Sequence, residues 1–277
     1  MATIAVVFDF DDTLVPDSTT ALLEQYGVDP GEFWGTLAPV LVREGYDPPL
    51  AYLRLILDRV GADRPFGRLS NDDLREFGAS LDRKFFPGLP SMFVDLKGSM
   101  SQFRDVGVEF YIISGGLQEV IAGSQVVQDH FDGFYDCELG AGDDGVLRHV
   151  KRCVTFTEKT RFLFEISKGI RVTDSRTNPH LVNQELPRRI PFQHMIYVGD
   201  GLTDIPCFSL VRERGGRTFG DLSRNKTAKQ AFQELLQTRR VDSLHSPDYR
   251  EEADLGAFIR AAVFALATSI ELDSEQF

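Results

Sequence analysis

Short apolar runs recur along the chain, and each is followed at once by a polar turn. Residues 4–8, 108–113 and 195–198 are almost wholly apolar, the pattern of strands covered on both faces in a parallel sheet. Stretches with helical periodicity, such as residues 91–105 and 117–128, separate these runs. Strand–turn–helix units in series predict an α/β fold, a doubly wound parallel sheet with helices on both faces.

One long block interrupts this alternation. From about residue 16 to residue 88 the pattern is helical and irregular, and it contains no β-branched run. Proline and glycine then punctuate the chain at residues 87–90, and the strand pattern resumes. We therefore predict an inserted all-helical cap at residues 16–88 and an α/β core domain formed by residues 1–15 and 89–277.

The second half of the chain predicts further core elements. Residues 134–156 predict a β-hairpin that turns at Asp143-Asp144-Gly145. Thr157 is the predicted N-cap of a helix that continues through Ile166. Residues 170–191 predict a loop with room for a short helix. After it the pattern predicts helices at about 203–213, 226–238 and 250–268, which alternate with strands at 216–219 and 240–244.

The charge balance limits the partners of the protein. The 277 residues carry a formal net charge of -12, which argues against nucleic acid or an anionic membrane as the main partner. The most apolar C-terminal stretch, residues 261–267, is shorter than the roughly 20 residues that span a bilayer. The N-terminus turns acidic at Asp9 and lacks the pattern of a signal peptide. We therefore expect a cytoplasmic protein, with oligomeric state left open.

The cysteines and histidines carry no recognisable metal or disulfide pattern. Cys137, Cys153 and Cys207 form no CxxC pair, so we predict free thiols in a reducing compartment. The five histidines are scattered without metal-ligand spacing, and none is assigned a role.

The candidate chemistry lies where the three apolar strands end. Ligands of parallel sheets bind at the carboxyl ends of the strands, which here carry Asp9-Phe10-Asp11, Ser114-Gly115-Gly116 and the run at 199–204. An ionised carboxylate can attack phosphorus directly, and a second carboxyl kept partly protonated can protonate the leaving group. We therefore expect these three segments to form one site for phosphoryl transfer.

The same segments offer groups for a metal ion and a phosphate. Mg²⁺ prefers oxygen ligands, which the carboxylates of Asp9, Asp200 and Asp204 would supply. A hydroxyl and backbone amides at Ser114-Gly115 suit a phosphate oxygen, as does a lysine at a helix start. A small phosphorylated substrate is therefore compatible with an acidic protein, because the cation and one lysine reverse the field locally.

These runs resemble the motifs of phosphatases in the haloacid dehalogenase (HAD) superfamily. The run Asp9-Phe10-Asp11-Asp12-Thr13-Leu14 resembles their first motif and Ser114-Gly115-Gly116 their second. Lys159 matches the third motif, and the run from Gly199 to Asp204 matches the fourth. The motifs fall in the family's order, and the helical insertion resembles the C1 cap of the phosphoserine phosphatase-like branch. The resemblance implies a Rossmann-like HAD core with this cap.

The resemblance also implies an activity and a role for each matching residue. The implied activity is Mg²⁺-dependent hydrolysis of a small phosphomonoester through an aspartyl-phosphate. Asp9 would be the nucleophile and a metal ligand, and Asp11 the general acid and then base, with its backbone carbonyl on Mg²⁺. The residues implied in phosphate binding are Thr13, Ser114, Gly115 and Lys159, and Thr13 would also support the nucleophile loop. Asp200 would bind the metal, with Asp204 beside it.

Two departures from the family pattern bear on the substrate. Phosphoserine phosphatases of this branch carry a glutamate nine residues after the nucleophile, and Ser18 stands there in this chain, preceded by Asp17. Phosphoserine is therefore disfavoured. Thr203 replaces the asparagine that often precedes the last aspartate of the fourth motif.

The same residues are compatible with other functions. A dehalogenase needs no acid at the position of Asp11, because halide leaves without a proton. A phosphomutase or phosphotransferase would use the same residues and stays open as an alternative, as does a catalytically silent phosphometabolite-binding protein.

The helical block is expected to be a mobile cap that sets specificity. It leaves the sheet pattern seven residues after the nucleophile, so its base would lie over the crevice. Arg43 and Arg54 are candidates for contacting the distal part of a substrate. Its aromatic side chains are expected in the core rather than around a ligand: Trp34, Tyr46, Tyr52 and Phe66.

Overall fold

A mostly parallel β-sheet forms the centre of the protein. The computed structural model describes residues 2–222 and 235–274. Within these ranges seven strands pair in the order β4-β3-β2-β1-β5-β6-β7, and every ladder is parallel except β3–β4. The strands are β1 Ala2–Phe8, β2 Val106–Leu117, β3 Gly133–Ala141, β4 Leu147–Arg152, β5 Met195–Gly199, β6 Arg217–Asp221 and β7 Ser243–His245. This sheet, flanked by helices, confirms the predicted fold class.

Helices flank the sheet and fill the inserted block. Residues 16–88 contain α1 Ser18–Gln25, α2 Pro30–Glu32, α3 Ala38–Arg43, α4 Pro48–Leu57 and α5 Asn71–Ser80. In the rest of the described chain the α-helices are α6 Ser91–Ser99, α7 Gln118–Gly123, α8 Gln125–His130, α9 Phe156–Lys168, α10 Val172–Thr177, α11 Ile205–Glu213 and α12 Asp254–Ser274. A π-helical turn at Phe33–Leu37 and short 3₁₀ turns at Leu81–Lys84, Met100–Gln102, Pro179–Asn183, Phe192–His194 and Leu202–Asp204 complete the set.

Strand β1 lies in the middle of the sheet because its side chains are apolar on both faces. Residues 4–8 are fully buried, and the strand pairs with β2 on one side and β5 on the other. The amide of Asp9 extends this pairing by donating to the carbonyl of Val198. The first candidate motif is therefore fixed beside the fourth.

Several predicted boundaries were wrong. The helix predicted at 117–128 is two short helices, because Ser124 interrupts it and its hydroxyl caps the second by accepting from the Val127 amide at 3.2 Å. The helix predicted at 91–105 ends at Ser99. Helix α9 begins at Phe156, so Thr157 lies inside it and Thr155 occupies the N-cap position.

The C-terminal predictions have mixed outcomes. The hairpin of β3 and β4 and the strand β6 lie where they were expected. The loop predicted at 170–191 contains the short helix α10, as the prediction allowed, and the last strand is shifted to Ser243–His245. The helix predicted at 226–238 falls largely outside the described residues.

Helix α12 is longer and more apolar than its sequence suggested. The helix has 21 residues, and an 18-residue stretch within it has a mean hydropathy of 1.6, so by length and composition alone the helix could cross a membrane. Leu255, Ile259, Val263, Ala267 and Ile270 are buried at intervals of three or four residues, the spacing of one helix face. That face packs on the central strands, as in a core helix of a globular domain.

The inserted block joins the core at its two ends and along one helix. The amide of Phe86 donates to the carbonyl of Leu14, so the ends of the block lie together. Helix α5 packs closely on α7: a Cβ at Gly78 would lie 1.9 Å from the Val120 carbonyl oxygen, and one at Gly123 would lie 2.1 Å from that of Arg75. Glycine at both positions allows the two backbones to touch.

Candidate active site

The carboxyl ends of β1, β2 and β5 meet at one edge of the sheet, where they border a cavity of about 440 Å³. The core contributes Asp9, Asp11, Ser114, Gly115 and Asp200 to its lining. Three of the four predicted motifs therefore open into the same space. Lys159 and Thr13, which are 1% and 0% exposed, lie beneath the cavity surface.

A buried lysine connects the first and fourth motifs. The Lys159 ammonium nitrogen lies 3.2 Å from Asp9 Oδ1 and 2.7 Å from Asp204 Oδ1. Burial by itself lowers the pKa of Lys159, but the carboxylates of Asp204 and Asp9 outweigh it and raise this pKa above its usual range. The side chain therefore stays cationic beside the nucleophile candidate.

Asp204 is the anchor of the loop that follows β5. Its Oδ1 accepts from the Tyr197 hydroxyl at 2.8 Å and its Oδ2 from the Gly201 amide at 3.1 Å. A Cβ at Gly199 would lie 2.6 Å from Oδ2, so glycine is needed at that position for the carboxylate to fit. Asp204 is fully buried, and these contacts hold the loop that carries Asp200.

Among the described residues, one group of acidic side chains could hold a metal ion. Asp9, Asp200 and Asp204 each offer a carboxylate oxygen, and these oxygens lie within 4.8 Å of one another. Carboxylate oxygens are the ligands that hard cations such as Mg²⁺ prefer. The donor set therefore fits a magnesium ion. The carboxylate of Asp11 is outside this group.

Asp11 occupies a different environment from Asp9. Its Oδ1 accepts from the Ser18 amide at 2.7 Å. Burial, and then the charge of Asp17, raises the pKa of Asp11 to about 8. Burial also raises the pKa of Asp9, but Lys159 opposes this, and the result is about 6. The two carboxyls are thus separated by environment into a more acidic and a less acidic group, as acid and nucleophile roles require.

The second motif forms a tight turn at the end of β2. Ser114 is fully buried, and its hydroxyl oxygen accepts from the Gly116 amide at 3.0 Å. A Cβ at Gly116 would lie 2.9 Å from Asp11 Oδ2, so glycine there leaves room for the Asp11 carboxyl. The turn therefore lies next to Asp11.

Thr13 supports the first loop from below. Its backbone carbonyl accepts from the Tyr249 hydroxyl at 2.7 Å, which ties the loop after β1 to the segment before α12. The side chain is fully buried.

The inserted block supplies the opposite wall of the cavity. Asp17, Trp34, Pro49 and Tyr52 line it, and the Tyr52 hydroxyl donates to the Gly115 carbonyl. The interpretation of Trp34 and Tyr52 as core residues alone was therefore incomplete, because both also face the site.

Arg43 and Arg54 do not line this cavity. Arg54 instead pairs with Asp58 at 3.4 Å and with the Tyr46 hydroxyl. Both arginines are exposed on the block, so they are not positioned to contact a substrate next to Asp9.

Sequence reasoning also missed two buried carboxyls near the site. Asp136, within β3, and Asp221, the last residue of β6, are fully buried. Burial raises the pKa of both well above the usual range, and the charges of Asp200 and Asp204 add to this at Asp221. Asp221 could have been found from its position at the carboxyl end of a strand, whereas Asp136 lies inside β3 and carried no such signal. The three cysteines are free thiols, as predicted.

Comparisons with known proteins agree with this architecture. No protein-family model matches the chain. A protein of uncharacterised function from Borreliella burgdorferi is 29% identical over 238 residues, which cover 75% of this chain and 78% of the relative.

Two solved structures are similar over most of the chain. A HAD family hydrolase from Salmonella enterica serovar Typhi has a TM-score of 0.58 at 16% identity and covers 87% of this chain. A probable phosphoserine phosphatase from Vibrio cholerae has a TM-score of 0.56 at 14% identity and covers 96% of this chain. The chain spans only 66% and 67% of these two proteins. The chain therefore shares its fold with these two solved structures, a HAD family hydrolase and a probable phosphoserine phosphatase.

Proposed function

We propose that this protein is a Mg²⁺-dependent phosphomonoester hydrolase that acts on a small phosphorylated substrate through an aspartyl-phosphate on Asp9. The observation that carries this proposal is the convergence of Asp9, Asp200 and Asp204, whose carboxylate oxygens lie within 4.8 Å of one another. Lys159 lies 3.2 Å from the same Asp9 carboxylate. A nucleophile, a site for a cation and a fixed positive charge are the elements that phosphoryl transfer needs.

In the first step a carboxylate oxygen of Asp9 attacks phosphorus. A bond forms between that oxygen and phosphorus while the bond from phosphorus to the ester oxygen breaks. Asp11 donates its proton to the departing alkoxide. Its pKa of about 8 supports this role, because the group is then mostly protonated at neutral pH.

In the second step water releases the phosphate. Asp11, now ionised, accepts a proton from a water molecule that attacks phosphorus, and the bond to Asp9 breaks. The Ser114 hydroxyl, the backbone amide of Gly115 and the Lys159 ammonium group would bind the phosphoryl oxygens, since charge on these oxygens is stabilised by preorganised donors. Thr13 would maintain the shape of the nucleophile loop.

Mg²⁺ would be held by Asp9, Asp200 and the backbone carbonyl of Asp11, with Asp204 beside it. When bound, it supplies positive charge to the phosphoryl oxygens. The hydrogen bonds of Asp204 to Tyr197 and Gly201 support a positioning role for this residue in addition to its proximity to the metal site.

We extend the proposal to the division of the chain into a core and a cap. Residues 16–88 would cover the site and exclude water while the aspartyl-phosphate forms. The support is that Trp34 and Tyr52 of this block line the same cavity as Asp9.

Replacement of the nucleophile tests the proposal. Asp9→Asn should lower the Mg²⁺-dependent hydrolysis of p-nitrophenyl phosphate by about a thousandfold or more, because an amide cannot form the acyl-phosphate. Asp143→Asn, in the exposed turn of the hairpin, is the matched control and should retain wild-type activity. Wild-type turnover in Asp9→Asn would contradict the mechanism, and no turnover by the wild-type protein would favour the silent binding protein. Release of phosphate to water, without an acceptor sugar or alcohol, separates a hydrolase from a phosphomutase.

A further inference from the structure

We propose that the site selects phosphomonoesters whose alcohol has an apolar, ring-sized body and no second anionic group. This inference rests on the proposed phosphohydrolase function and concerns the part of the cavity beyond the phosphate. It follows from the residues that form the wall and mouth of the cavity and from the distribution of charge around them.

The wall opposite the aspartates is apolar. Trp34, Pro48, Pro49 and Tyr52 of the inserted block line it. The Trp34 and Tyr52 rings are 5.8 Å apart between centroids and tilted by 53°, so they form a continuous aromatic surface. Such surfaces bind flat apolar groups through area burial and ring packing.

The polar atoms of this wall are already used within the protein. Trp34 Nε1 donates to the Thr20 hydroxyl at 2.9 Å, and that hydroxyl donates to Asp17 at 2.5 Å. The Tyr52 hydroxyl donates to the Gly115 carbonyl. Both rings are therefore held in place by hydrogen bonds, and they offer a substrate their carbon surfaces.

The core side of the cavity mouth is apolar as well. Phe156 is the first residue of α9, the helix of Lys159, and Leu202 lies in the loop of Asp200; they are 38% and 51% exposed. A single exposed apolar side chain needs no explanation. Phe156 and Leu202 come from separate elements, and both lie at the rim of the same cavity. They continue the apolar surface on the side opposite the Trp34 and Tyr52 rings. An apolar alcohol would lie between these two sides.

The charge around the cavity disfavours a second anion. Among the described residues that line it, none is lysine, arginine or histidine, whereas five are aspartates: Asp9, Asp11, Asp12, Asp17 and Asp200. Lys159 lies below and is paired with Asp9 and Asp204. The lysine and a bound cation would match the charge of one phosphate. A carboxylate on the leaving group would instead approach a wall that offers it no cationic side chain, and the negative charge of Asp17 would repel it.

Three esters with similar alkoxide leaving groups test the inference. Benzyl phosphate, 4-carboxybenzyl phosphate and ethyl phosphate would be compared by kcat/KM with the wild-type protein and Mg²⁺. We expect benzyl phosphate to exceed each of the other two by on the order of tenfold, as apolar burial and charge repulsion of this size imply. Equal values for benzyl and ethyl phosphate, or preference for the carboxylated ester, would overturn the inference.

Variants locate the effect in the wall. Trp34→Ala and Leu202→Ala should lower the ratio of kcat/KM for benzyl phosphate to that for ethyl phosphate about tenfold. Leu202 is exposed, so its replacement should leave the fold intact. Val42→Ala, an exposed apolar residue of the same block outside the cavity, is the control. Leu202→Lys should raise the relative rate for 4-carboxybenzyl phosphate.

The outcomes separate this inference from the proposed function. Hydrolysis of all three esters at equal rates, abolished by Asp9→Asn, would retain the phosphohydrolase and overturn the substrate class. Wall variants that lower all three esters equally would likewise overturn it. No hydrolysis of any ester by the wild-type protein would overturn both.

Discussion

The hydroxyl of Tyr52 in α4 donates a hydrogen bond to the carbonyl oxygen of Gly115 at the end of β2. The two residues are 63 positions apart in the chain, and the bond joins the inserted block directly to the second motif. Tyr52 is almost fully buried, so water cannot readily replace its hydroxyl. This hydrogen bond therefore connects the cavity wall that would face the leaving group to the turn beside the proposed phosphate site.

Removal of this hydroxyl should affect both stability and activity. Tyr52→Phe leaves the Gly115 carbonyl without its partner, and we expect a loss of about 1 kcal/mol in the free energy of unfolding. Thermal denaturation would measure this as a decrease of roughly 2–4 °C, together with a lower kcat/KM. Tyr46→Phe is the control, because the Tyr46 hydroxyl accepts a hydrogen bond from Arg54, which is exposed. An unchanged melting temperature for Tyr52→Phe would show that the bond contributes no stability.

The charge of Asp17 should set the alkaline limit of activity. Asp11 must be protonated to act as the acid, so the rate is lost as the pH rises through its pKa. Burial raises this pKa first and Asp17 raises it further, to about 8. Asp17→Asn removes the charge, lowers the pKa of Asp11 and should move the alkaline limb of the kcat profile to lower pH.

The same substitution preserves the local fold. An asparagine oxygen can still accept from the Thr20 amide at the N-cap of α1. Asp29→Asn, which alters the N-cap of α2 in the same way, is the matched control and should leave the limb in place. A shift of the limb to higher pH in Asp17→Asn would contradict the assignment of Asp11 as the acid.

Removal of the metal should abolish activity. We expect no turnover in EDTA, recovery with Mg²⁺ and poorer recovery with Ca²⁺, whose larger coordination shell misplaces the reacting groups. Asp200→Ala should lower the apparent affinity for Mg²⁺, measured by titration of activity and by calorimetry. Full activity in chelator would rule out the proposed metal ligands.

The contact between α5 and α7 should tolerate no side chain. Gly123→Ala would place a Cβ 2.1 Å from the Arg75 carbonyl oxygen, and we expect a loss of about 1–3 kcal/mol. Gly98→Ala, in helix α6 with open space around it, should instead raise stability by about 0.5–1 kcal/mol. Chemical denaturation of the two variants would give changes of opposite sign; equal changes would mean that the close contact relaxes at little cost.

The parts of the fold that sequence could predict depend on local pattern. Residues 4–8 and 195–198 are apolar without interruption, and both form central strands. The carboxyl ends of parallel strands meet by geometry, so the approach of Asp9 to Asp200 followed from the strands alone. Boundaries were less accurate because they depend on single contacts. Ser124 ends one helix and caps the next, and a hydroxyl at residue 155 or 157 fits a helix start equally well by sequence.

The residues that sequence missed act through contacts between distant segments. Trp34 and Tyr52 are aromatic residues on helices, a pattern that favours core burial, and only the placement of the block over the sheet turns them toward Asp9. Tyr197 lies in an apolar strand, and its hydroxyl finds Asp204 only because the loop folds back. Local periodicity carries no information on such pairings.

The backbone contact of Gly78 with Val120 and of Gly123 with Arg75 has a practical consequence for chimeras with related proteins. A graft that exchanges all of residues 16–88 would pack the α5 of another protein against the α7 of this chain. A single methyl group at the position of Gly78 or Gly123 would then separate the two helices. The segment that carries Asp17, Trp34 and Tyr52 ends before α5 begins. A transplant intended to change specificity should therefore exchange residues 17–57 and retain the resident α5.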